Sequence, residues 1–266
     1  MPNTSSFSNG MTEQATITVA SARELRTESL RLTAFLAPSA SIDQPSWWAD
    51  LVGSQPDAKA SRPGRGELQE SGALGERNLF LSVSPGRVDW FLTARVDQGA
   101  LSEHRWAGRF EEAVGVFSDL MNRWLGDCPA LVRLALGAIA HEVMPDRVTA
   151  YRNLAQYLPM VRLDPEHSED FLYQINRPRN SSIIEGLKIN RLSRWSAAAF
   201  VPVRIEIAKQ QLVQRPLGVG EHSCRIELDI NTDPAFPGEL PRLQLSRLFE
   251  ELKDISLELV SRGDVP

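Results

Sequence analysis

Cysteine is scarce in this chain: Cys128 and Cys224 are the only two among 266 residues. Two thiols do not make a disulfide scaffold, and each lies beside a strand-like segment, where a buried free thiol is the ordinary outcome. Apolar runs are short as well. Stretches such as Ser196 to Val203 fall far below the roughly 20 residues needed to span a bilayer. The N-terminal residues are polar and lack the charged-then-apolar order of a secretion signal. Positive charge is not in excess either. With a net charge of -5 and a pI near 5.5, any contact with nucleic acid must come from a local basic patch acting against the overall charge. The expectation is a cytoplasmic protein with no membrane segment.

The familiar catalytic signatures are missing too. The stretch GRGELQESGALG (64–75) has glycines, yet it lacks the lysine, preceding strand and following helix of a phosphate loop. There is no HExxH, no paired CxxC and no Gly-x-Ser-x-Gly elbow. His141 and Glu142 with Asp146, and His222 near Cys224, come nearest to a ligand set. Spacing alone does not converge them, so no metal or cofactor is expected.

What is present is an ordinary globular balance, 42% hydrophobic and 24% charged, with α+β patterning. Residues 1–13 are Ser/Asn-rich and read as disordered. Strands are predicted over 15–22 and 28–37, the latter alternating Leu30, Leu32, Ala34 and Leu36 against Arg31, Thr33 and Phe35. A short helix is expected at 46–52 and an irregular loop over 53–75. Residues 79–96 read as a hairpin about Ser84-Pro85-Gly86-Arg87. A long helix follows over 102–125, with Ser102 as its N-cap. Then come a strand over 130–143, bent at Gly137, and a helix over 147–158 capped by Asp146. Further strands lie near 171–176, 187–190, 201–207 and 224–231, and a closing helix covers 242–260.

Strand, turn, strand, long helix runs from Asn78 to Leu125 and again from Phe200 to Val260. Either residues 14–266 are one pseudo-duplicated body (14–160 and 161–266), or the order recurs because it is common. The expected fold is α+β, with mixed or antiparallel sheets from two strand-strand-helix units and the long helices packed on one side.

The phrase Ile-Asn-Arg occurs twice, at 175–177 and 189–191, inside a segment where Arg177, Arg179, Lys188, Arg191 and Arg194 face only Glu185. The arginines do not share one parity, so two strands with Ile inward and Asn outward explain the pattern better than a phosphate patch does. Asparagine has poor strand propensity, and a side-chain bond to backbone or a ligand would account for it at both places. Glu227 and Asp229 share a strand face about 7 Å apart, given the strand rise of about 3.3 Å per residue. With Arg225, Arg204 and Glu206 they make either an ordinary solvated sheet face or, joined by Gln174, Asn176, Lys188 and Asn190, a polar platform for a peptide or nucleotide. Trp47 and Trp48, next to the 53–75 loop, are either core residues or anchors for a partner.

The order of hairpin, helix and strand, followed by Gln-Ile-Asn-Arg (174–177), Leu-Lys-Ile-Asn-Arg (187–191) and Glu-Leu-Asp-Ile-Asn-Thr (227–232), resembles a sporadically distributed, functionally uncharacterised bacterial protein family of similar length. The resemblance covers residues 78–260. It implies a bacterial accessory or defence-like system and transfers no catalytic residue. The expected function is therefore a non-catalytic binding or regulatory module acting with a protein partner. The alternatives are a hydrolase or nuclease using Glu227 and Asp229, and nucleic-acid binding through 177–194, which the net charge disfavours.

Overall fold

The computed structural model describes residues 23–40, 46–95, 106–200, 203–208, 211–216 and 220–264, with side chains left out over 203–216. The strand expected at 15–22 and the disordered segment at 1–13 lie outside these residues. Chain order is β1 (Leu25–Leu36), α1 (Trp47–Val52), β2 (Ala58–Arg62), β3 (Glu67–Leu74), β4 (Arg77–Ser84), β5 (Arg87–Ala94) and α2 (Phe110–Asp127). Then follow β6 (Leu131–Met144), α3 (Arg147–Tyr157), β7 (Leu172–Asn176), β8 (Arg179–Asn180), β9 (Lys188–Phe200), β10 (Val203–Ala208), β11 (Gln211–Pro216), β12 (Glu221–Thr232) and α4 (Leu245–Arg262).

Ten strands form one sheet in the order β2-β3-β4-β5-β1-β6-β12-β9-β7, with β8 also paired to β9; β10 and β11 form a separate two-stranded sheet. Every pairing is antiparallel. Alternation decides which side chains go inward. Leu32 of β1 lies between Trp90 of β5 and Leu136 of β6, and Ile226 of β12 lies between Ala140 and Trp195. All of these are buried.

Helices α1 to α4 cover that inward face. Trp48 of α1 stacks on Trp90 at 6.4 Å between centroids, and Trp124 of α2 meets Trp90 edge-on at 6.3 Å. Tyr157 of α3 lies 5.1 Å from Trp195. The stripe Leu248, Phe249, Leu252, Ile255 and Leu259 of α4 is buried in the same core. Burying this much aliphatic and aromatic surface, at about 25 cal/mol per Å², supplies the main driving force for folding. No described helix is long and apolar enough to cross a membrane.

Three expectations about elements change. Residues 53–75 hold the hairpin β2–β3 instead of an irregular loop, turning through Pro63–Arg65 with Gly66 at φ 64°. As an edge strand with every residue exposed, β2 has no apolar alternation to reveal it. The helix expected from Ser102, itself outside the described residues, begins only at Phe110. Ala107 and Gly108 instead exchange backbone hydrogen bonds with Thr27 (2.8 and 2.9 Å), holding the chain against β1. Gly137 sits in unbroken register; the irregularities are on β1, between Thr27 and Ser29 and between Phe35 and Leu36. The cap of α3 is as expected: Asp146 accepts from the Thr149 N–H at 2.8 Å.

Candidate functional site

No helix among the described residues packs on the outward face of the sheet, and most of the expected platform lies there. Register places Gln174 beside Arg194 and Arg194 beside Glu227. Arg194 donates to Gln174 at 2.8 Å and to both Glu227 oxygens at 3.1 and 3.2 Å, and Arg225 donates to Glu227 at 2.7 Å. Lys188, exposed, shares the outward parity of Asn190 and Arg194 along β9.

The two odd asparagines belong to a ladder. Asn176 donates to Asn190 (3.0 Å), Asn190 to Asn231 (3.1 Å), and Asn231 to Asp229 (3.0 Å). The Asn176 side-chain oxygen Oδ1 accepts from the backbone N–H of Arg191 at 2.9 Å. Arg133 of β6 also donates to Asn231, at 2.8 Å. Local side-chain bonding therefore offsets the poor strand propensity of asparagine. Asn231 and Arg133 were not singled out from sequence, and Arg194 only as part of the basic run, although the outward parity of each was readable.

Arg204 and Glu206 do not join the platform by strand pairing: β10 bonds to β11 and not to β12 or β9. Their side chains lie outside the description. The tryptophan anchor is corrected. Trp48 is 2% exposed in the core, and Trp47 is half-buried with its ring edge-on to Trp124 at 5.5 Å. The apolar stripe of a six-residue helix turned both indoles inward.

The basic run 177–194 is dispersed. Arg177 is bidentate to Asp264 at 2.7 and 3.0 Å, and Arg179 reaches Glu258 at 3.0 Å. Arg191 points to the core side, 6% exposed, with Nε and Nη2 unpartnered; burial, reinforced by the charge of Arg179, lowers its pKa. The Arg177 bonds hold the Asp264 carboxyl below the usual carboxylate range. Burial pushes the Cys128 thiol up to about 11 and Cys224 to about 12, so neither is a poised thiolate.

The other half of the outward face was missed by the sequence reading. On β1, Arg31 and Phe35 point outward. Arg31 lies over Gly137, where a Cβ would come 3.4 Å from its Nε, and 5.9 Å from the Phe91 ring centre. Phe35 is flanked by Arg133 at 4.9 Å and Arg87 at 5.7 Å. Arg87 clamps Asp89 at 2.6 and 2.8 Å. Phe80 and Phe91 are cross-strand neighbours at one side of a depression of about 640 Å³, which also takes in Gln69, Ser71, Ser82 and Thr93.

One cluster has the order of a nucleophile relay. His141 on β6 contacts Ser223 Oγ through Nδ1 at 2.9 Å and Glu28 through Nε2 at 2.7 Å. Glu28 falls in the β1 irregularity between Thr27 and Ser29, and such bulges re-aim side chains. Ser223 and His141 are both 0% exposed, and the rings of Trp106 and Phe200 lie 5.0 and 4.8 Å from the imidazole. A serine nucleophile must be reached by its substrate. Enclosed in this way, the cluster pairs buried polar groups, as burial requires.

Glu227 is occupied by two guanidinium groups and Asp229 by an asparagine amide, an arrangement that favours fixed recognition over proton transfer. No family model, no curated protein and no solved structure matches this chain.

Proposed function

We propose that the protein is a non-catalytic binding module whose working surface is the outward face of the ten-stranded sheet. The observation that carries this reading is that four helices cover one face, while the other presents a cross-linked polar half and an aromatic–arginine half. A sheet with one face open needs polar residues there, but it does not need three half-buried phenylalanines interleaved with arginines. The resemblance of residues 78–260 supports an accessory or defence-like setting. The carboxylate pair gives less support to a hydrolase, because both acids are engaged in side-chain bonds.

We infer further that the body is an internal duplication. Outward from the central pair β1 and β6, the neighbours are β5 and β12, then β4 and β9, then β3 and β7. Each half runs strand, helix, strands, helix, which supports a division between α2 and β6 rather than at residue 160.

The test is co-purification from the native host at moderate salt, comparing the wild type with an open-face variant (Arg133→Glu, Arg194→Glu) and a helix-face variant (Glu111→Lys, Glu112→Lys). The binding reading expects one defined companion macromolecule, lost with the first variant and kept with the second. Turnover abolished by Glu227→Gln with Asp229→Asn, in a folded protein, overturns it.

A further inference from the structure

We propose that the occupant of the open face is single-stranded RNA, an inference that rests on the binding-module reading above. Charge is the first argument. Although the chain carries -5 overall, the five arginines Arg31, Arg87, Arg133, Arg194 and Arg225 outnumber the four acids Glu28, Asp89, Glu227 and Asp229 on the outward side. The negative surplus lies elsewhere: α2 has Glu111, Glu112, Asp119 and Asp127 against Arg123 alone. A molecule polarised in this way turns its sheet toward a polyanion.

The free charges have the right chemistry. Arg31, Arg133 and Lys188 have no carboxylate partner among the described residues. Arg133 is half-buried, with Nη2 given to Asn231 and Nε enclosed without a partner, so what it can offer an incoming oxyanion is Nη1. Guanidinium groups match phosphate oxygens in geometry as well as charge.

The rings are the second argument. Single strands are held by stacking unpaired bases on aromatic side chains set in a basic groove, and sheet faces serve this purpose. Phe35, Phe80 and Phe91 stand half-buried on adjoining strands, two of them beside an arginine. The depression at Phe80 and Phe91, about 640 Å³, is broad enough to admit a base. Its polar lining, Gln69, Ser71, Ser82 and Thr93, offers amide and hydroxyl groups to a ribose 2′-hydroxyl, the group that separates RNA from DNA. A base pair in a duplex has no free face to give these rings, which is why an unpaired strand is assigned.

Fluorescence anisotropy tests this with the full chain and labelled 20-nucleotide poly(U), poly(dT) and RNA duplex probes at 50 and 200 mM salt. Poly(U) is expected to bind most tightly and to weaken as salt rises. The pair Arg31→Ala with Arg133→Ala should weaken it tenfold or more and flatten the salt slope by about 1.4, or about 0.7 for each phosphate no longer neutralised. Lysine at both positions should restore the slope. The pair Phe80→Ala with Phe91→Ala should weaken binding roughly tenfold per ring and leave the slope unchanged. Thermal melting confirms that each variant is folded. Tighter binding of duplex or of poly(dT), or binding insensitive to both pairs, overturns the proposal. If no probe binds while the open-face variant still loses a protein companion on co-purification, the RNA assignment fails and the binding-module reading stands.

Discussion

Replacing Asn190 by aspartate exchanges one amide nitrogen for an oxygen and tests the ladder directly. In the native chain each amide donates to the next, from Asn176 through Asn190 and Asn231 to Asp229. Asn190→Asp keeps an acceptor for Asn176 but removes the donor to Asn231, setting oxygen against oxygen. The loss is one hydrogen bond with a repulsive contact in its place, about 1 to 2 kcal/mol for a partly buried pair. For a chain of this size that is a fall in Tm of roughly 2 to 8 °C. The sign with pH follows. Protonation restores the donor, so the folded state raises the pKa of the new carboxyl above its unfolded value of about 3.9. The deficit is then full at pH 7 and shrinks as pH falls through the raised pKa toward the unfolded one. Differential scanning calorimetry of both proteins at pH 7 and pH 4.5 reads the difference, in which titrations common to the two cancel. A variant as stable as the wild type at pH 7, or one whose deficit grows on acidification, refutes the directional ladder.

Four further outcomes are expected. Gly263, at φ 79°, would bring a Cβ within 2.2 Å of the Tyr157 carbonyl oxygen; Gly263→Ala should therefore lower stability by about 3 kcal/mol or more in urea denaturation, since positive-φ strain alone costs about 1 to 3 kcal/mol. Asp264 has its pKa lowered by Arg177, so its contribution is present above the ordinary carboxylate pKa and lost as pH falls through the lowered value; Asp264→Asn should remove that part of the acid dependence and cost about 2 to 3 kcal/mol at pH 7. Both thiols should resist a disulfide reagent at pH 8 until denaturant is added, when two react. Trp48→Ala should cost about 3 to 5 kcal/mol, whereas a surface anchor would lose binding with stability nearly unchanged.

The elements legible in the sequence were those whose burial is one-sided. β4, β5, β12 and α4 alternate or stripe cleanly because one side meets the core. Legibility failed where tertiary pairing overrides local pattern. β2 is exposed throughout and exists because β3 supplies its hydrogen bonds. The start of α2 is set by Thr27, some eighty residues earlier in the chain. β10 has the same alternation as its neighbours, yet among the described residues it pairs with β11 alone, and nothing in its own residues distinguishes the two outcomes. The platform was half readable. Parity along β7, β9 and β12 found Gln174, Asn176, Asn190, Glu227 and Asp229, while the aromatic half required knowing that β1 lies between β5 and β6.

Stability alone explains part of the open face and not the rest. A solvated sheet surface favours opposite charges on adjacent strands, and Glu227 between Arg194 and Arg225, or Asp89 under Arg87, meets that need. Thr33 closes the second case, donating to Asp89 at 2.5 Å from the neighbouring strand. Arg31 and Arg133 have no such acid among the described residues, and Arg31 lies across Gly137, where a Cβ would meet it at ordinary contact distance. A glycine inside a strand costs about 0.5 to 1 kcal/mol relative to alanine, and a half-exposed ring forgoes part of the benefit of its own burial. Half-exposed rings and arginines without acids, gathered on the face that no described helix covers, fit the binding role proposed for that face.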